Sequence, residues 1–521
     1  MDFEPIISFF QYNSKRWPEL FLAIFCLLSL RWYLENKNKV LVHWPILDEI
    51  PSLLQNAHRI HEWSVEVANE VGSTIVGKGP IFSRLRLVFT CDPHNVEYIV
   101  KTNFANFPKG EEYAETFDVL GNGIFTVDFE YWHAQRKIAN KTFASKEFRS
   151  FIAKMSRKVM EDSLLPLLSQ VAKEATIIDM EDVFLRFAFD SIFTVLFGIN
   201  PESLSISLEE NELAEAIDDA TEALFYRHVL PPRLWKLYRW LQIGSEKKLV
   251  KAWSTIDRRL GEYILSKKKD MLNGVHENDM IAIYMRAQEQ EQKNNDLLPK
   301  GDGFLRDTGL SFLFAGRDST GTSLAWFFWV IATNPSVEAK ILEELACLHS
   351  NTIVGDDFEE KKPYIFNSED LKGLVYLHAA LCESFRLYPP LPINHKGVDK
   401  DDVLPDGTVV KAGFKIFISM YAMGRMEWLW GKDCLEYKPE RWIDEHGKLS
   451  PIPLSKFYTF NAGPRNCIGR DMAFTQMKLV TAAVVFNYHV EIVEGQIIRP
   501  KPSAVLHMKN GLKVRIKERR S

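Results

Sequence analysis

Apolar and polar positions alternate along this chain of 521 residues more often with the period of helices than with that of strands. Over residues 53–71, 150–270, 310–332 and 470–485, apolar residues recur every three to four positions, which predicts helices. Residues 85–90 form a short run of branched and aromatic side chains, which predicts a strand. The pattern predicts a mainly α fold with small β-sheets.

The most apolar stretch near the N-terminus covers residues 20–30 and is interrupted only by Ser29. It is shorter than the ~20 residues of a membrane-spanning helix, but the flanking Trp17, Trp32 and Tyr33 extend it as interfacial residues. We predict an N-terminal membrane anchor helix within residues 1–39, a proline-containing linker over 40–52, and a folded body over 53–521. A cleaved signal peptide and a buried helix are the alternatives, and no small-residue cleavage site is evident.

Composition narrows the function classes. The formal net charge is −5, which gives no indication of nucleic-acid binding. The six cysteines are far apart in the sequence, which argues against a disulfide framework. We therefore expect a reducing compartment facing the cytosol.

A basic and aromatic segment surrounds the Pro231-Pro232 break in the helical pattern. Its cationic residues alternate with large apolar ones and are Arg227, Arg233, Lys236 and Arg239. A solvated helix face is the simpler interpretation. The alternative is a membrane-contacting rim of a substrate access channel.

Cys467 lies in the stretch Phe-Asn-Ala-Gly-Pro-Arg-Asn-Cys-Ile-Gly, residues 460–469, whose composition suits a thiolate. Arg465 places a positive charge two residues from the sulfur, and the helix predicted at 470–485 begins just after it. Both features stabilise an anion. Gly463 and Gly469 permit backbone conformations and close approaches that a Cβ would block. A thiolate held in this way is a metal ligand or a nucleophile.

The surroundings of Cys467 separate these possibilities. No Cys or His lies within ten residues, so a zinc cage with Cys-x-x-Cys spacing is disfavoured. A cysteine nucleophile needs a histidine base and an oxyanion hole, and this stretch identifies neither. A single thiolate suits haem iron, because the porphyrin supplies the in-plane nitrogens itself.

Two further patterns carry candidate chemistry. In the apolar helix predicted at 310–332, residues 315–320 contain a glycine, an acid and two hydroxyls, which disfavour a helix interior and so mark a functional position. Trp132 and Arg136 share one face of a helix, where an indole N–H and a guanidinium suit a pair of carboxylates. A surface cation–π contact is the simpler alternative for this pair.

Several motifs together resemble the cytochromes P450. Residues 460–469 match the haem-binding signature Phe-x-x-Gly-x-Arg-x-Cys-x-Gly at every fixed position. Residues 315–320 are similar to the family's oxygen-activating segment, with Ser319 where Thr is usual. Glu383-Ser384-Phe385-Arg386 and Pro439-Glu440-Arg441-Trp442 resemble the two parts of its Glu-Arg-Arg triad. The motifs occur in the family's order, and the resemblance covers about residues 45–515.

The resemblance implies a cytochrome P450 fold, with residues 53–521 as the catalytic domain, haem b as the cofactor and Cys467 as the ligand of its iron. It implies a haem site of Trp132, Arg136, Lys396, Phe460, Arg465, Cys467 and Gly469. In that family, a glycine of the oxygen-activating segment opens a groove for O2, and the acid and hydroxyls relay protons. The resemblance assigns these roles to Gly316, Asp318, Ser319 and Thr320. Serine keeps the hydroxyl but lacks the methyl group that stiffens a threonine side chain.

The resemblance also assigns two further groups of residues. A structural triad locks the core under the cysteine loop and consists of Glu383, Arg386 and Arg441. The substrate pocket is expected at Gly123, Ile124, Phe125, Ala315, Leu391 and Ile393. Lys396 falls where the family often has an Arg or His on a haem propionate.

Finer motifs, among them Phe107-Pro108-Lys109-Gly110, resemble the plant clan that hydroxylates fatty acids and alkanes, in particular its mid-chain alkane hydroxylase branch. We therefore expect a monooxygenase in the endoplasmic reticulum membrane, facing the cytosol, that hydroxylates a hydrophobic alkane or fatty acid. No Gly-x-Gly-x-x-Gly motif occurs, so electrons from NADPH are expected to arrive through NADPH-cytochrome P450 reductase.

Two alternatives remain. The same branch contains relatives that couple phenols in alkaloid synthesis, so oxidative phenol coupling is the first. A haem protein that binds a gas or lipid without turnover is the second, and the proton-relay set at residues 318–320 disfavours it.

Overall fold

The computed structural model describes residues 17–79, 86–273, 278–291, 298–352, 362–367, 369–453 and 455–519. Helices dominate, as the periodicity predicts. In chain order they are α1 Trp17–Asn36, α2 Ile50–Asn56, α3 Ile60–Val71, α4 Pro93–Glu97, α5 Glu111–Thr116, α6 Phe129–Ala144, α7 Lys146–Val159, α8 Leu165–Glu174, α9 Met180–Phe197, α10 Glu212–Val229, α11 Pro232–Leu241, α12 Gly244–Leu272, α13 Met280–Glu291, α14 Asp302–Ala332, α15 Pro335–Thr352, α16 Val375–Leu387, α17 Met420–Met423, α18 Glu427–Trp430 and α19 Arg470–Asn487.

The strands are short. They are β1 Thr74–Lys78, β2 Arg86–Thr90, β3 Ile177–Asp179, β4 Ile393–Gly397, β5 Asp402–Val403, β6 Val409–Val410, β7 Lys415–Ser419, β8 Tyr488–Ile492 and β9 Lys513–Glu518. They form a four-stranded sheet of order β1-β2-β7-β4, a three-stranded sheet of order β3-β9-β8, and the hairpin β5-β6. The predicted mainly α fold with small sheets is confirmed.

The four-stranded sheet combines strands from distant parts of the chain. Strand β2 pairs in parallel with β7, with Val88 opposite Ile416. Strand β4 pairs antiparallel with β7, which places His395 opposite Phe417 and Lys396 opposite Ile416. Neighbouring side chains of a strand point to opposite faces of the sheet, so the side chains of His395 and Lys396 lie on opposite faces.

The core is centred on α14, which packs along α9. Trp326 of α14 is 1% exposed, stacks on Tyr388 with ring centroids 4.3 Å apart, and donates from Nε1 to the Leu506 carbonyl at 2.6 Å. The indole thus buries its apolar surface and satisfies its one donor. The aromatic run 326–329 stabilises the helix on which the candidate chemistry lies.

Helix α1 differs from the other long helices in its surroundings. It has 20 residues, its most apolar window has a mean hydropathy of 1.3, and none of that window is buried in the protein. The alternative of a buried helix is therefore wrong, and α1 is a candidate membrane anchor. Residues 1–16, the first part of the predicted anchor, lie outside the described residues. The linker contacts α1, because Trp32 Nε1 donates to the His43 carbonyl at 2.9 Å and the tilted rings of Trp32 and Trp44 have centroids 4.7 Å apart.

The basic segment around Pro231-Pro232 is not one solvated face. Arg227 is 2% exposed and forms ion pairs with Glu246 at 2.7 Å and with Asp118 at 2.8 Å. Arg239 also pairs with Asp118, at 2.5 Å. The apolar side chains exposed beside these pairs are Leu237, Trp240, Leu241 and Ile243, and their contact with a membrane stays a prediction.

Candidate active site

A largely apolar cavity of about 490 Å³ lies between α14, the four-stranded sheet and the loop that precedes α19. Its wall includes residues from α3, α5, α6, α10, β4 and β7 as well. All seven residues predicted to bind haem lie on this wall: Trp132, Arg136, Lys396, Phe460, Arg465, Cys467 and Gly469. Positions more than 300 residues apart in the sequence therefore meet at one cavity.

The cysteine loop holds Cys467 against the cavity through its backbone. The Cys467 amide donates to the Phe460 carbonyl at 2.7 Å, and residues Gly463–Arg465 form a tight 3-10 turn between them. Gly463 has φ of +65°, and a Cβ there would overlap the Val100 carbonyl oxygen. The predicted need for glycine at this position is confirmed.

Gly469 has a different role. Its φ is −89°, and a Cβ there would have no atom of the described protein within 4 Å. Among the described residues no close approach requires a glycine at this position, so the predicted role of Gly469 in haem binding stays a prediction. Because Gly469 lines the cavity beside Cys467, only a group held in the cavity would require a glycine here.

The Cys467 side chain is exposed to the cavity and otherwise enclosed by protein. Burial raises the pKa of the Cys467 thiol, while the Gly469 amide and the charges of Arg136 and Arg470 act in the opposite direction. Arg465, which the sequence placed beside the sulfur, instead donates to the Val127 carbonyl at 2.6 Å and to Asp128 at 2.5 Å. The protein alone therefore favours a thiol, and a bound metal ion would be needed to hold it as a thiolate.

Next to the cysteine loop, four cations line the cavity: Lys109, Arg136, Lys396 and Arg465. Among the described residues, the carboxylate that pairs with this group is Asp128, which forms a salt bridge with Arg465. Arg136 donates to Asn466 at 2.7 Å, and the Nε atoms of Arg136 and Arg465 are buried without a partner in the described structure. The positive charge of this region exceeds the negative charge, and part of its donor capacity is unused.

Burial shifts the pKa values of these cations downwards. The pKa of Lys396 is lowered to about 7 by burial and by the charge of Arg465, and the pKa of Lys109 is lowered in the same way. Trp132 is 4% exposed and lies under the Arg465 guanidinium, 4.7 Å from its ring centroid. A surface cation–π contact between Trp132 and Arg136 is therefore not what the structure contains. The region fits a dianionic ligand, as the two propionates of a haem would be.

In α14, the oxygen-activating segment is divided between the cavity and the core. Gly316, Ser319 and Thr320 lie on the cavity wall, whereas Asp318 does not. The Ser319 hydroxyl donates to the Ala315 carbonyl at 2.5 Å. A Cβ at Gly316 would overlap the Ile192 side chain of α9, so this glycine also permits close packing of two helices.

Asp318 is fully buried in a charged cluster on the other side of α14. The Arg317 guanidinium lies 2.6 Å from Asp318 and 2.5 Å from Asp218, whose side chain is 46% exposed. Asp318 is also 3.5 Å from the Thr221 hydroxyl, and Thr221 does line the cavity. The structure therefore connects Asp318 with the cavity through Thr221 and with the surface through Arg317.

The predicted triad is assembled as expected. Arg386 donates to both carboxylate oxygens of Glu383 at 2.8 Å, and Arg441 Nε donates to Oε1 at 3.2 Å. Trp442 Nε1 donates to Oε2 at 2.9 Å. On the same helix, Phe385 packs edge-on against Phe460 with centroids 5.2 Å apart. The triad helix therefore supports the cysteine loop directly.

The predicted substrate-pocket residues lie on the cavity wall with one exception. Those on the wall are Ile124, Phe125, Ala315, Leu391 and Ile393. Gly123 is not among the lining residues, and a Cβ there would overlap the Ser311 hydroxyl of α14. The predicted position of Gly123 is corrected: this glycine lets its loop approach α14.

Sequence reasoning missed several polar residues of the wall, among them Lys109, Asn394, His228 and His395. Lys109 Nζ donates to Asn394 at 2.9 Å and to the His395 carbonyl at 3.1 Å. Lys109 belongs to the motif Phe107-Pro108-Lys109-Gly110, and its charge directly after Phe107 and Pro108 was the available signal. The histidines carry no motif, and only the fold brings them together.

Comparison with known proteins agrees with this site. The family model "Cytochrome P450" matches residues 44–516. The chain is 41% identical over 503 residues to alkane hydroxylase MAH1 of Arabidopsis thaliana, covering 95% of this chain and 97% of that protein. It is 38% identical over 528 residues to cytochrome P450 86B1 of the same plant, covering 98% and 92%. It is 37% identical over 516 residues to a noroxomaritidine synthase of Narcissus aff. pseudonarcissus MK-2014, covering 97% of each chain.

The chain belongs to the cytochrome P450 family. It is a monooxygenase-type oxidoreductase that uses O2 and haem-thiolate iron, as that family does.

Proposed function

We propose that this protein is a membrane-bound haem-thiolate monooxygenase that hydroxylates a long-chain aliphatic substrate, an alkane or a fatty acid. The observation that carries the proposal is the cavity itself, in which Cys467, an excess of cations and a mainly apolar wall occur together. The relatives named as an alkane hydroxylase and as a noroxomaritidine synthase support a reaction in which a small molecule is oxidised. The second name keeps oxidative phenol coupling as the alternative activity.

The residues of the chain have separate roles in this proposal. Cys467 would bind the iron, and Arg136, Lys396, Arg465 and Trp132 would hold the propionates. The haem supplies the oxidising chemistry when bound. The apolar wall, including Phe125 and Ile393, would orient the substrate and exclude water. Ser319 and Thr320 would deliver protons into the cavity, with Asp318 acting through Thr221.

Helix α1 is proposed as a single anchor in the endoplasmic reticulum membrane, with the catalytic domain facing the cytosol. Its length of 20 residues and its exposed apolar side chains support this role. Electrons would come from NADPH through NADPH-cytochrome P450 reductase. Removal of residues 1–39 is expected to release the protein from microsomal membranes and to leave haem binding intact.

The first test concerns the iron ligand. The reduced carbon monoxide complex is expected to show the red-shifted Soret band of thiolate ligation, and Cys467→Ala should abolish it. Cys434→Ala is the matched control, because Cys434 is a free cysteine buried elsewhere. Survival of the band in Cys467→Ala would mean that another residue binds the iron.

The second test identifies the reaction. Purified protein with reductase and NADPH is incubated with an alkane, a fatty acid or a phenolic amine, and the products are identified by mass spectrometry. Oxygen gain in the alkane or fatty acid supports hydroxylation. A coupled phenol without added oxygen, and no aliphatic product, would favour the alternative activity instead.

The third test concerns proton delivery. Loss of a positioned proton donor typically costs about 10²–10⁴-fold in rate. Ser319→Ala should therefore keep consuming NADPH but form much less product and more hydrogen peroxide, whereas Ser319→Thr should retain product. Ser323→Ala is the matched control, because Ser323 lines the same cavity one helical turn later.

Thr320 complicates this third test, since its hydroxyl could replace that of Ser319. The double variant Ser319→Ala/Thr320→Val removes both hydroxyls. Full product yield on an aliphatic substrate from the double variant would contradict proton delivery by these residues.

A further inference from the structure

Two histidines form a polar pair in the wall of the otherwise apolar cavity. His395 lies in β4 and His228 in the last turn of α10, and both line the cavity. Their ring centroids are 5.6 Å apart. No role in haem binding or proton delivery has been assigned to either residue.

The pair is enclosed by aromatic rings. Tyr113 and Phe417 lie against His395, with centroids 5.4 and 5.0 Å away. Phe117 lies against His228 at 5.3 Å and stacks on Tyr113. The enclosing residues come from α5, the segment after it and β7, not from α14 or the cysteine loop. The pair therefore occupies a different part of the wall from Cys467 and Ser319.

The hydrogen-bonding capacity of the pair is only partly used. His228 Nδ1 lies 2.9 Å from the Leu224 carbonyl, which can only accept, so Nδ1 carries the proton and Nε2 of the neutral ring is an acceptor. His395 is 5% exposed, and its Nδ1 is buried without a partner in the described structure. An unsatisfied buried polar atom costs about 1–3 kcal/mol, and at His395 this unused capacity lies beside the free acceptor of a second histidine.

The charge state limits the kind of ligand. Burial lowers the pKa of His228 to about 4, and burial together with the neighbouring His228 and Lys109 lowers the pKa of His395 well below its ordinary value. Both rings are therefore neutral at pH 7. The ammonium of Lys109 donates to Asn394 and to the His395 carbonyl, so it is already engaged. The pair therefore offers the acceptor nitrogen of His228 and the donor and acceptor nitrogens of His395, but no positive charge.

We propose that His228 and His395 form a subsite for a hydroxyl group of the substrate, which donates to His228 Nε2 and accepts from the N–H of His395. The separation of the rings allows one oxygen atom to reach both with hydrogen bonds of about 2.8 Å. The subsite rests on the proposed function and refines it: the preferred substrate is a chain bearing a hydroxyl away from the carbon that is oxidised. An aliphatic alcohol and a phenol share this chemistry.

The test compares dissociation constants measured by equilibrium dialysis on the full-length haem-loaded protein. The ligands are dodecanol, its methyl ether, dodecane, dodecanoic acid and octylphenol. The ether accepts but cannot donate, so it isolates the contribution of the hydroxyl proton. Because each ratio is compared between variants, partition of the ligands into detergent cancels.

The wild-type protein is expected to bind dodecanol roughly fivefold to tenfold more tightly than the ether, as one net hydrogen bond provides. His228→Phe keeps an aromatic ring but removes the acceptor of the hydroxyl proton, so it should reduce that ratio to about one. His395→Phe removes the donor to the oxygen of both ligands, so it should weaken dodecanol and the ether alike relative to dodecane, by roughly fivefold to tenfold. His395→Gln retains a donor and should restore part of the preference for dodecanol over dodecane. It also serves as the second variant if His395→Phe does not fold. The relative affinities of dodecanol and octylphenol tell whether the hydroxyl is aliphatic or phenolic.

His61→Phe is the matched control. His61 lines the same cavity, is 2% exposed, and has both ring nitrogens unpartnered in the described structure, but it lies by Tyr421 rather than in the pair. It should leave the dodecanol-to-ether ratio unchanged, and an equal loss in His61→Phe would overturn the proposal.

Two other results would also overturn the subsite. The absence of the expected loss in His228→Phe or in His395→Phe would mean that the two rings only satisfy each other. Tighter binding of dodecanoic acid than of dodecanol, lost in Lys109→Met, would mean that the wall recognises a carboxylate. None of these measurements needs turnover, so the subsite can fail while hydroxylation stands. A protein that binds dodecanol as expected but forms no oxidised product would instead contradict the proposed function.

Discussion

Two groups of charged residues lie near the cysteine loop, and they are built in opposite ways. In the triad, the Glu383 carboxylate accepts from Arg386, from Arg441, from the Trp442 indole and from the Lys438 amide. The remaining donors of Arg386 are taken by backbone carbonyls, among them that of Cys434 at 2.6 Å. Every charge of this group has its partners within the protein.

In the cationic region of the cavity, by contrast, several charged groups lack partners within the described protein. Lys396 is 2% exposed, lies 5.1 Å from the Phe104 ring centroid, and forms no salt bridge in the described part of the chain. Arg136 and Arg465 each retain an unpartnered buried Nε. Uncompensated buried charge destabilises a fold. The triad is therefore satisfied within the fold, whereas the cationic region retains positive charge that an anionic ligand would compensate.

The largest expected effect is on the triad. Glu383→Gln removes one partner of two buried arginines and should destabilise the protein by about 3–5 kcal/mol, with or without haem. Urea unfolding followed by circular dichroism measures this. The matched control is Glu440→Gln, since Glu440 pairs with Lys340 at 2.6 Å but both side chains are about half exposed; it should cost less than about 1 kcal/mol. Equal losses in both variants would remove the contrast between the two regions.

The cationic region should show the opposite dependence on the ligand. Lys396→Met removes a buried charge that has no anion in the protein, so the haem-free form should be as stable as before or more stable. Its affinity for haem should fall by roughly tenfold, as loss of one charge-assisted hydrogen bond implies. Haem transfer to apomyoglobin measures the second quantity. Lys411→Met is the control, because Lys411 pairs with Asp401 on the surface, and it should alter neither quantity.

A loss of stability in haem-free Lys396→Met comparable with that of Glu383→Gln would contradict the contrast. Unchanged haem affinity would show that Lys396 does not hold a propionate.

The smallest expected effect is a difference in pH dependence. The pKa of Lys396 is about 7 in the fold and about 10.4 in an unfolded chain, so between these values the unfolded state binds more protons. Stability of the haem-free protein should therefore rise as the pH increases from about 7 to about 10. Propionates would keep Lys396 charged, so the haem-loaded protein should lack this rise. Denaturation midpoints across that pH range, with Lys396→Met as reference, measure the difference.

The local elements of this protein could be predicted from the sequence because they depend on neighbouring residues. The apolar period gave α14 and α19, although α14 begins at Asp302, eight residues before the apolar pattern. The short helix α5, Glu111–Thr116, was not predicted. That helix has two acids in its first turn and few apolar residues, so periodicity alone could not identify it.

The candidate site divides in the same way. Cys467 and Gly463 lie in one contiguous motif, and Glu383 and Arg386 are one helical turn apart, so the sequence by itself determined these positions. Arg441 joins Glu383 across 58 positions and was assigned by the resemblance to the family. Which face of α14 meets the cavity depends on its packing against α9, so the sequence could not place Asp318 in the core and Ser319 on the wall.

Other features of the site were decided only by the tertiary structure. Arg465 reaches Asp128 across 337 positions of sequence. His228 meets His395 because α10 ends above the strand that pairs with β7. Contacts between residues so distant in sequence depend on how helices and strands pack, and the local pattern of apolar and polar residues does not predict them.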